Sequence, residues 1–262
     1  MTDVCAMLLC GGLGTRLQPL TDRWPKCLMP INGRPLLEYW LNMLWQNEIH
    51  EVLVNAHHFH KIIERFLERP RFCQWVRSVY EPKLLGTAGT LRKNIDFFSD
   101  STILLIHADN WCQFNLNKFL NFHNNCRSTG TVLTMMTFRT DTPSTCGIVE
   151  LDSSGVVKHL HEKKSDPPGD LANGAVYLVE FEVLTWIADH PEIIDFSTQV
   201  LPHYLGRIST WENTNIHRDI GTLESLSRAQ HDPIPDLYWE EDDTWQREFN
   251  NNAVHNYLGV NR

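Results

Sequence analysis

Val4-Cys5-Ala6-Met7-Leu8-Leu9-Cys10-Gly11-Gly12-Leu13-Gly14-Thr15-Arg16-Leu17 is the stretch around which the rest of the chain can be read. Seven apolar residues run without interruption into a pair of glycines. Such a run is the pattern of a strand buried on both faces of a parallel sheet. Three glycines directly after it let the backbone approach a ligand and turn N–H groups toward an anion. Arg16, and Lys26 within Pro25-Lys26-Cys27-Leu28-Met29-Pro30, add two cations around that loop, which suits a triphosphate. The string is not a P-loop, since GxxxxGK[ST] is absent. Nor is it the dinucleotide fingerprint, since Leu17 stands where the third glycine would be. The plain alternative is a tight turn with two surface cations.

Outward from this stretch, Pro35 opens a segment with Leu37, Trp40, Leu41 and Leu44 at helical spacing. Val52-Leu53-Val54 reads as a strand, Ile62 to Leu67 as a helix, and Trp75 to Tyr80 as a strand. Ile103-Leu104-Leu105-Ile106 reads as a fully buried strand, Leu116 to His123 as a helix, and Thr131 to Phe138 as a strand. Strands alternating with helices over the first ~140 residues predict an α/β sheet with helices on both faces. Beyond Cys146 the pattern changes. Gly147 to Leu151, the turn Asp152-Ser153-Ser154-Gly155, and Val156 to Leu160 read as a hairpin. Ala175 to Val179 is a further strand, with helical stretches near 181–189 and 196–205. The expected fold is α/β: a Rossmann-like mixed, mostly parallel sheet flanked by helices, with a smaller mixed β-rich half. No hexapeptide repeat is present.

With 262 residues, 42% of them hydrophobic and 21% charged, the chain has an ordinary globular composition. No stretch approaches the length of a membrane span, and Met1-Thr2-Asp3-Val4 lacks the basic start of a secretory signal. Seven scattered cysteines, odd in number and with no CxxC pair, suit a reducing compartment. A cytoplasmic protein without a membrane partner is expected. The net charge is −9, and Asp232 to Glu248 alone holds seven acidic residues and one basic. No basic stripe offers itself to DNA or RNA, so no nucleic-acid partner is expected. The acidic tail from about His231 contains Trp239, Trp245, Phe249 and Tyr257, too aromatic for a purely disordered segment. It should pack back on the domain or on a partner.

Other constellations carry less. His57, His58 and His60 begin a helix without acidic or Cys partners at zinc spacing. His159 and His161 share one strand face, more simply a solvated one than a pocket wall. No Gly-x-Ser-x-Gly elbow anchors a hydrolase triad. Asp109 follows the buried strand at its C-terminal end, where open α/β sheets bind ligands, and a carboxylate there suits Mg²⁺. Its alternative is an exposed helix cap. Asp219 closes a strand, Asn215 to Arg218, before Gly221, and could instead cap a helix starting near Thr222.

The string Gly11-Gly12-Leu13-Gly14-Thr15-Arg16-Leu17-x-Pro19-Leu20-Thr21, then Pro25 to Ile31, closely resembles the signature of the sugar-1-phosphate nucleotidyltransferases. Leu85-Gly86-Thr87-Ala88-Gly89, Ala108-Asp109-Asn110, Glu162-Lys163, Asn173 to Tyr177, and Arg218 to Thr222 follow in the family's order. The resemblance covers nearly all the chain except the tail. It implies a nucleotidyltransferase domain over 1–230, with a nucleotide-binding half (1–140), a sugar-phosphate-binding half (141–230), and the tail (231–262) outside it. Leu9, Gly11, Gly12, Gly14, Thr15, Arg16, Lys26, Glu81, Gly86, Thr87 and Asp109 are then expected at the nucleotide. Gly89, Asn110, Glu162, Lys163, Asn173 and Gly174 are expected at the sugar phosphate, and Asp109 and Asp219 at Mg²⁺. Arg16, Lys26, Asp109, Lys163 and Asp219 would carry catalysis.

The chain departs from the family in Ala108, usually Gly; in Asn173-Gly174-Ala175, usually Asn-Ala-Gly; and in Lys164, usually Pro. None removes a charged residue. The short chain looks most like the guanylyltransferases that use mannose- or heptose-type 1-phosphates, so GTP is the favoured nucleotide. UTP, dTTP or CTP with a hexose or amino-sugar phosphate is the alternative. Further from it stand a catalytically silent regulatory homologue and a phosphocholine-type cytidylyltransferase. Homo-oligomerisation is left open.

Overall fold

The computed structural model describes residues 3–239 and 241–258; Glu240, residues 259–262 and the side chains of Tyr257 and Leu258 lie outside the description. The chain divides into two compact units, each assembled from three separate stretches. One comprises Met1–Ala6, Leu85–Ile106 and Phe114–Asn215; the other Met7–Leu84, His107–Gln113 and Ile216–Arg262. Among the described residues, no helix is long and apolar enough to cross a membrane.

The first unit is built on a mixed sheet. Its order runs from strand Val157–Glu162 through Gly147–Leu151, Leu171–Val179 and Thr102–His107 to the start of Val4–Leu9. Val157–Glu162 and Gly147–Leu151 form the expected hairpin. Leu171–Val179 pairs antiparallel with Thr102–His107 and with Leu133–Arg139, and Leu133–Arg139 pairs in parallel with Ile208–Glu212. Ile103, Leu104, Leu105, Ile106, Val176 and Leu178 have no measurable exposure, so these strands read as continuous apolar runs. Helix Phe181–Asp189 buries Val183, Leu184 and Ile187, a 3–4 residue spacing that lays one stripe inward.

In the second unit, the end of Val4–Leu9 is followed in sheet order by Val52–Ala56 and Val76–Tyr80, the last two in parallel register. Helix Leu36–Gln46 begins directly after Pro35, whose fixed φ of −63° suits a helix entry, and buries Leu37, Trp40, Leu41 and Leu44. Asn110–Cys112 pairs antiparallel with His217–Asp219. The C-terminal segment folds back on this unit. Helix Thr244–Asn250, capped by Asp243, buries Trp245 and Phe249. Arg69, itself buried, donates to Glu38 (2.6 Å) and to Asp243 (2.7 Å). Trp239 stacks on Trp75 and meets Phe72 edge-on.

The first unit holds a buried histidine with a readable pH consequence. His123 is 1% exposed, with Nδ1 2.7 Å from Thr134 Oγ1 and Nε2 accepting from Arg127 Nη1 at 2.8 Å. Burial first, and Arg127 second, push its pKa down to about 4, against the pull of Glu180. An unfolded histidine takes up its proton near 6.5, so unfolding binds a proton that the native state refuses. The stability is whole above that pH and is lost as pH falls from 6.5 toward about 4. The melting temperature is expected to fall across this window, and His123→Gln to flatten the slope. Equal slopes for wild type and variant would contradict the assignment.

Candidate active site

Strand Val4–Leu9 ends where the backbone must turn sharply. Leu9 O accepts from Ala108 N (3.2 Å), and the Cys10 amide donates to Asn55 Oδ1 (2.8 Å). Gly14 sits at φ +63°, a left-handed conformation that glycine adopts without cost, and a Cβ there would press to 2.8 Å from Thr21. Leu17 N and Thr21 Oγ1 both donate to Gly14 O, closing the turn that carries Thr15 and Arg16. Beside Gly12 there is open space.

Lys26 opens a single turn, Lys26–Leu28, held by Trp24 Nε1 donating to Leu28 O (2.9 Å). Its ammonium lies 2.9 Å from Asp109 Oδ2 and 2.9 Å from Asp219 Oδ1, and Arg16 Nη2 reaches Asp219 Oδ2 at 2.7 Å. The side chain of Lys26 is only 6% exposed, against 34% for Asp109 and 45% for Asp219. Burial works to strip the proton from Lys26, but Asp109 and Asp219 outweigh it and hold the ammonium above the ordinary lysine value. Burial likewise opposes the Asp219 carboxylate; Lys26 and Arg16 override it and hold its pKa below the usual range. Two cations and two anions form a neutral knot. Asp109 occupies the turn between Thr102–His107 and Asn110–Cys112 and caps no helix. Asp219 ends its strand opposite Asn110, and the helix cap is Thr222, whose side chain accepts from Ser225 N.

Asn110 is almost buried, and its carbonyl accepts from Trp40 Nε1 (3.1 Å). Glu81, 1% exposed, accepts from Asn55 Nδ2 (3.3 Å), and a Cβ on Gly11 would stand 3.1 Å from that amide nitrogen. Sequence reasoning missed Asn55. Its signal was there: an amide inside the buried run Val52–Ala56 must find hydrogen bonds.

The remaining expected residues belong to the other unit. Lys163 follows strand Val157–Glu162 at φ +45°, exposed, with Nζ 3.6 Å from Glu162 Oε1. Asn173 Oδ1 accepts from Ala175 N (3.0 Å), at a register break in Leu171–Val179. Ala175 stands where the family usually has glycine, and its φ is +53°. A left-handed Ala costs about 1–2 kcal/mol, a strain that a glycine at this position would not carry. Gly86, Thr87 and Gly89 lie at the start of helix Thr87–Lys93, packed on the 194–196 turn. Ala88 N donates to Ile194 O and Phe196 N to Thr87 Oγ1.

Among the described residues, no three His, Cys, Asp or Glu side chains gather as a metal site. The pair Asp109 and Asp219 does fit Mg²⁺, which takes one or two carboxylates and completes its shell with substrate phosphates and water. Both present hard oxygens within 2.9 Å of one point, now filled by the lysine ammonium.

The chain as a whole is similar to known proteins. A family model described as nucleotidyl transferase matches residues 5–234, and the chain belongs to that family. It is 29% identical over 237 residues to the mannose-1-phosphate guanylyltransferase of Mycobacterium tuberculosis, covering 88% of this chain and 65% of that protein. It is also 29% identical over 201 residues to the UTP–glucose-1-phosphate uridylyltransferase of Synechocystis, covering 71% and 52%. The chain thus spans between half and two thirds of these curated relatives. A Bacillus anthracis crystal structure, described as a candidate glucose-1-phosphate thymidylyltransferase in complex with sucrose, matches with a TM-score of 0.76. At 22% identity over 87% of this chain and 94% of that one, it is a likeness of fold.

Gly221 offers a test of the knot. A Cβ there would stand 2.7 Å from Arg16 Nη2 and 2.9 Å from Asp219 Oδ1. Arg16 is exposed and can swing away, but Asp219 is tied to the buried Lys26 ammonium, so Gly221→Ala should strain that contact and lower the melting temperature. An unchanged melting temperature would contradict this reading.

Proposed function

We propose that this chain transfers a nucleotidyl group from a nucleoside triphosphate to a sugar 1-phosphate, releasing pyrophosphate and an NDP-sugar. The observation that carries the reading is the Lys26 ammonium held between Asp109 and Asp219, with Arg16 alongside, at the foot of a glycine-rich turn. A phosphate oxygen of the sugar 1-phosphate attacks the α-phosphorus in line, and the bond from the α-phosphorus to the bridging oxygen breaks. That oxygen is already a nucleophile, since a phosphomonoester loses its second proton at a pKa of about 6. No general base is required, and the protein's task is alignment and charge stabilisation.

Each residue has a part in that task. The backbone N–H groups of Gly11, Gly12, Gly14 and Thr15 face the triphosphate. Arg16 and Lys26 release their carboxylates and turn to its phosphates, with Thr87 and Gly86 beside the nucleoside. Asp109 and Asp219 would hold Mg²⁺, which when bound would supply positive charge to stabilise the phosphates. Lys163 takes the sugar phosphate, and Glu162, Asn173, Gly174, Gly89 and Asn110 take the sugar.

GTP is the proposed nucleotide, with a mannose- or heptose-type 1-phosphate. Support comes from Glu81, a buried carboxylate linked through Asn55 to the Cys10 amide, next to Gly11. Guanine carries adjacent N–H donors on its pairing edge, which a carboxylate can accept, whereas uracil and thymine present a single one there. The relatives include a guanylyl- and a uridylyltransferase by name, so the base is the finer part of the proposal. Seven free cysteines suit a reducing cytoplasm as the place of reaction.

The deciding experiment measures pyrophosphate release with Mg²⁺ across a matrix of nucleoside triphosphates and sugar 1-phosphates. GTP with a manno-configured sugar is expected to stand out, and Asp109→Asn to abolish that rate in a folded protein. A winning UTP or dTTP pair would overturn the base assignment alone. Silence throughout, with EDTA-insensitive nucleotide-sugar binding, would favour a regulatory homologue. Lys163→Ala is expected to raise the KM for the sugar phosphate more than that for the nucleotide, and the reverse would remove its assigned role.

A further inference from the structure

The two acids of the knot sit on, or next to, one short two-stranded ribbon, Asn110–Cys112 paired with His217–Asp219. Across it, Asp219 faces Asn110 and Arg218 faces Trp111. The neighbours of the acids are tied together from outside by one carboxylate. Asp232 accepts from Arg218 Nε (3.0 Å) and Nη2 (2.9 Å), and from Trp111 Nε1 (3.0 Å). A guanidinium–carboxylate fork fixes direction as well as distance. Trp111 is 1% exposed and packed edge-on against Tyr39, so the indole end of this tie is rigid. The same stretch of chain reaches the lysine loop. Two residues earlier, Gln230 donates to Pro30 O (2.9 Å) and accepts from Asn32 N (2.9 Å).

We infer that Asp232 is a positioning residue for the Asp109–Asp219 pair, setting their separation through Arg218 and Trp111. The inference rests on the reading of those acids as metal-holding. Asp232 itself lies ten residues beyond Thr222, where the substrate motifs end, and its hydrogen bonds go to Arg218 and Trp111 and not to either acid. Its effect is therefore on how closely two carboxylates converge, the quantity that decides whether one cation can satisfy both.

The test compares nucleotide affinity with Mg²⁺ and with EDTA, by calorimetry, using the triphosphate selected by the activity matrix. The ratio of the two affinities reports the metal's contribution without turnover. Asp232→Ala is expected to lower this ratio about tenfold or more, the range found for groups that orient metal ligands. Asp232→Asn, which keeps an acceptor oxygen, should recover part of it and carries the test if the Ala variant does not fold. Asp243→Ala is the control, because it too removes a carboxylate of the C-terminal segment that pairs with an arginine, here the buried Arg69. It should lower the melting temperature and leave the ratio alone. A wild-type ratio in Asp232→Ala, where Asp109→Asn collapses it, overturns the proposal; so does an equal loss in Asp243→Ala. A ratio untouched by Asp109→Asn overturns the metal reading beneath it, and Asp232 then has no pair to position.

Discussion

A buried ammonium between two carboxylates is the constraint on which the second unit turns. A lysine at 6% exposure is costly unless its charge is matched, and two carboxylates facing one point repel each other unless something positive stands there. Each half of the knot solves the other's problem. Removing either partner leaves a charge that the surroundings do not compensate. The glycine-rich turn, the Lys26 loop and the Asn110–Asp219 ribbon are therefore not independent features; each is placed where the charges of the others allow it.

The acidic C-terminal segment follows the same logic at larger scale. Its charge looks excessive in isolation, yet most of it is answered by arginines of the same unit. Asp232 meets Arg218, Asp242 meets Arg34, Asp243 meets Arg69 and Arg71, and Glu248 meets Arg65. Indoles and phenyl rings lie between these pairs, with Trp24 against Phe249 and Phe66 against Trp245. Gln246, buried in the same helix, donates to Gly33 O (2.8 Å) just past the lysine loop. Trp245, Gln246, Phe249 and Val254 thus lie in the unit's interior, while most of the segment's other described residues are half-buried or exposed.

Strands and helices with strong periodicity were legible in the sequence, because their burial is a local pattern. Val4–Leu9, Thr102–His107 and Leu36–Gln46 emerge within a residue or two of their expected limits. Thr87–Lys93 and Ile208–Glu212 were not anticipated; the former, with its Gly, is a weak helix by propensity and is held by Ile194 and Phe196 far away in sequence. At the candidate site, the types of residue were readable but their partners were not. Nothing near Lys26 announces that two carboxylates will converge on it, nor does any local signal link Asp232 to Arg218 and Trp111. Asn55 was the exception, a polar residue in an apolar strand whose context asked for a partner. How three separate stretches assemble each unit is likewise absent from any local pattern.

The distances along the chain between members of the knot bear on how the protein is made. Lys26 lies 83 residues before one carboxylate partner and 193 before the other, and Arg16 lies 203 before its own. A ribosome releasing the chain from its N-terminus exposes the glycine-rich turn and its cations long before Asp219 exists. Until then Lys26 has no reason to leave water, and the loop around it has no reason to settle. The turn and its cations would thus be synthesised well before they can acquire their final shape.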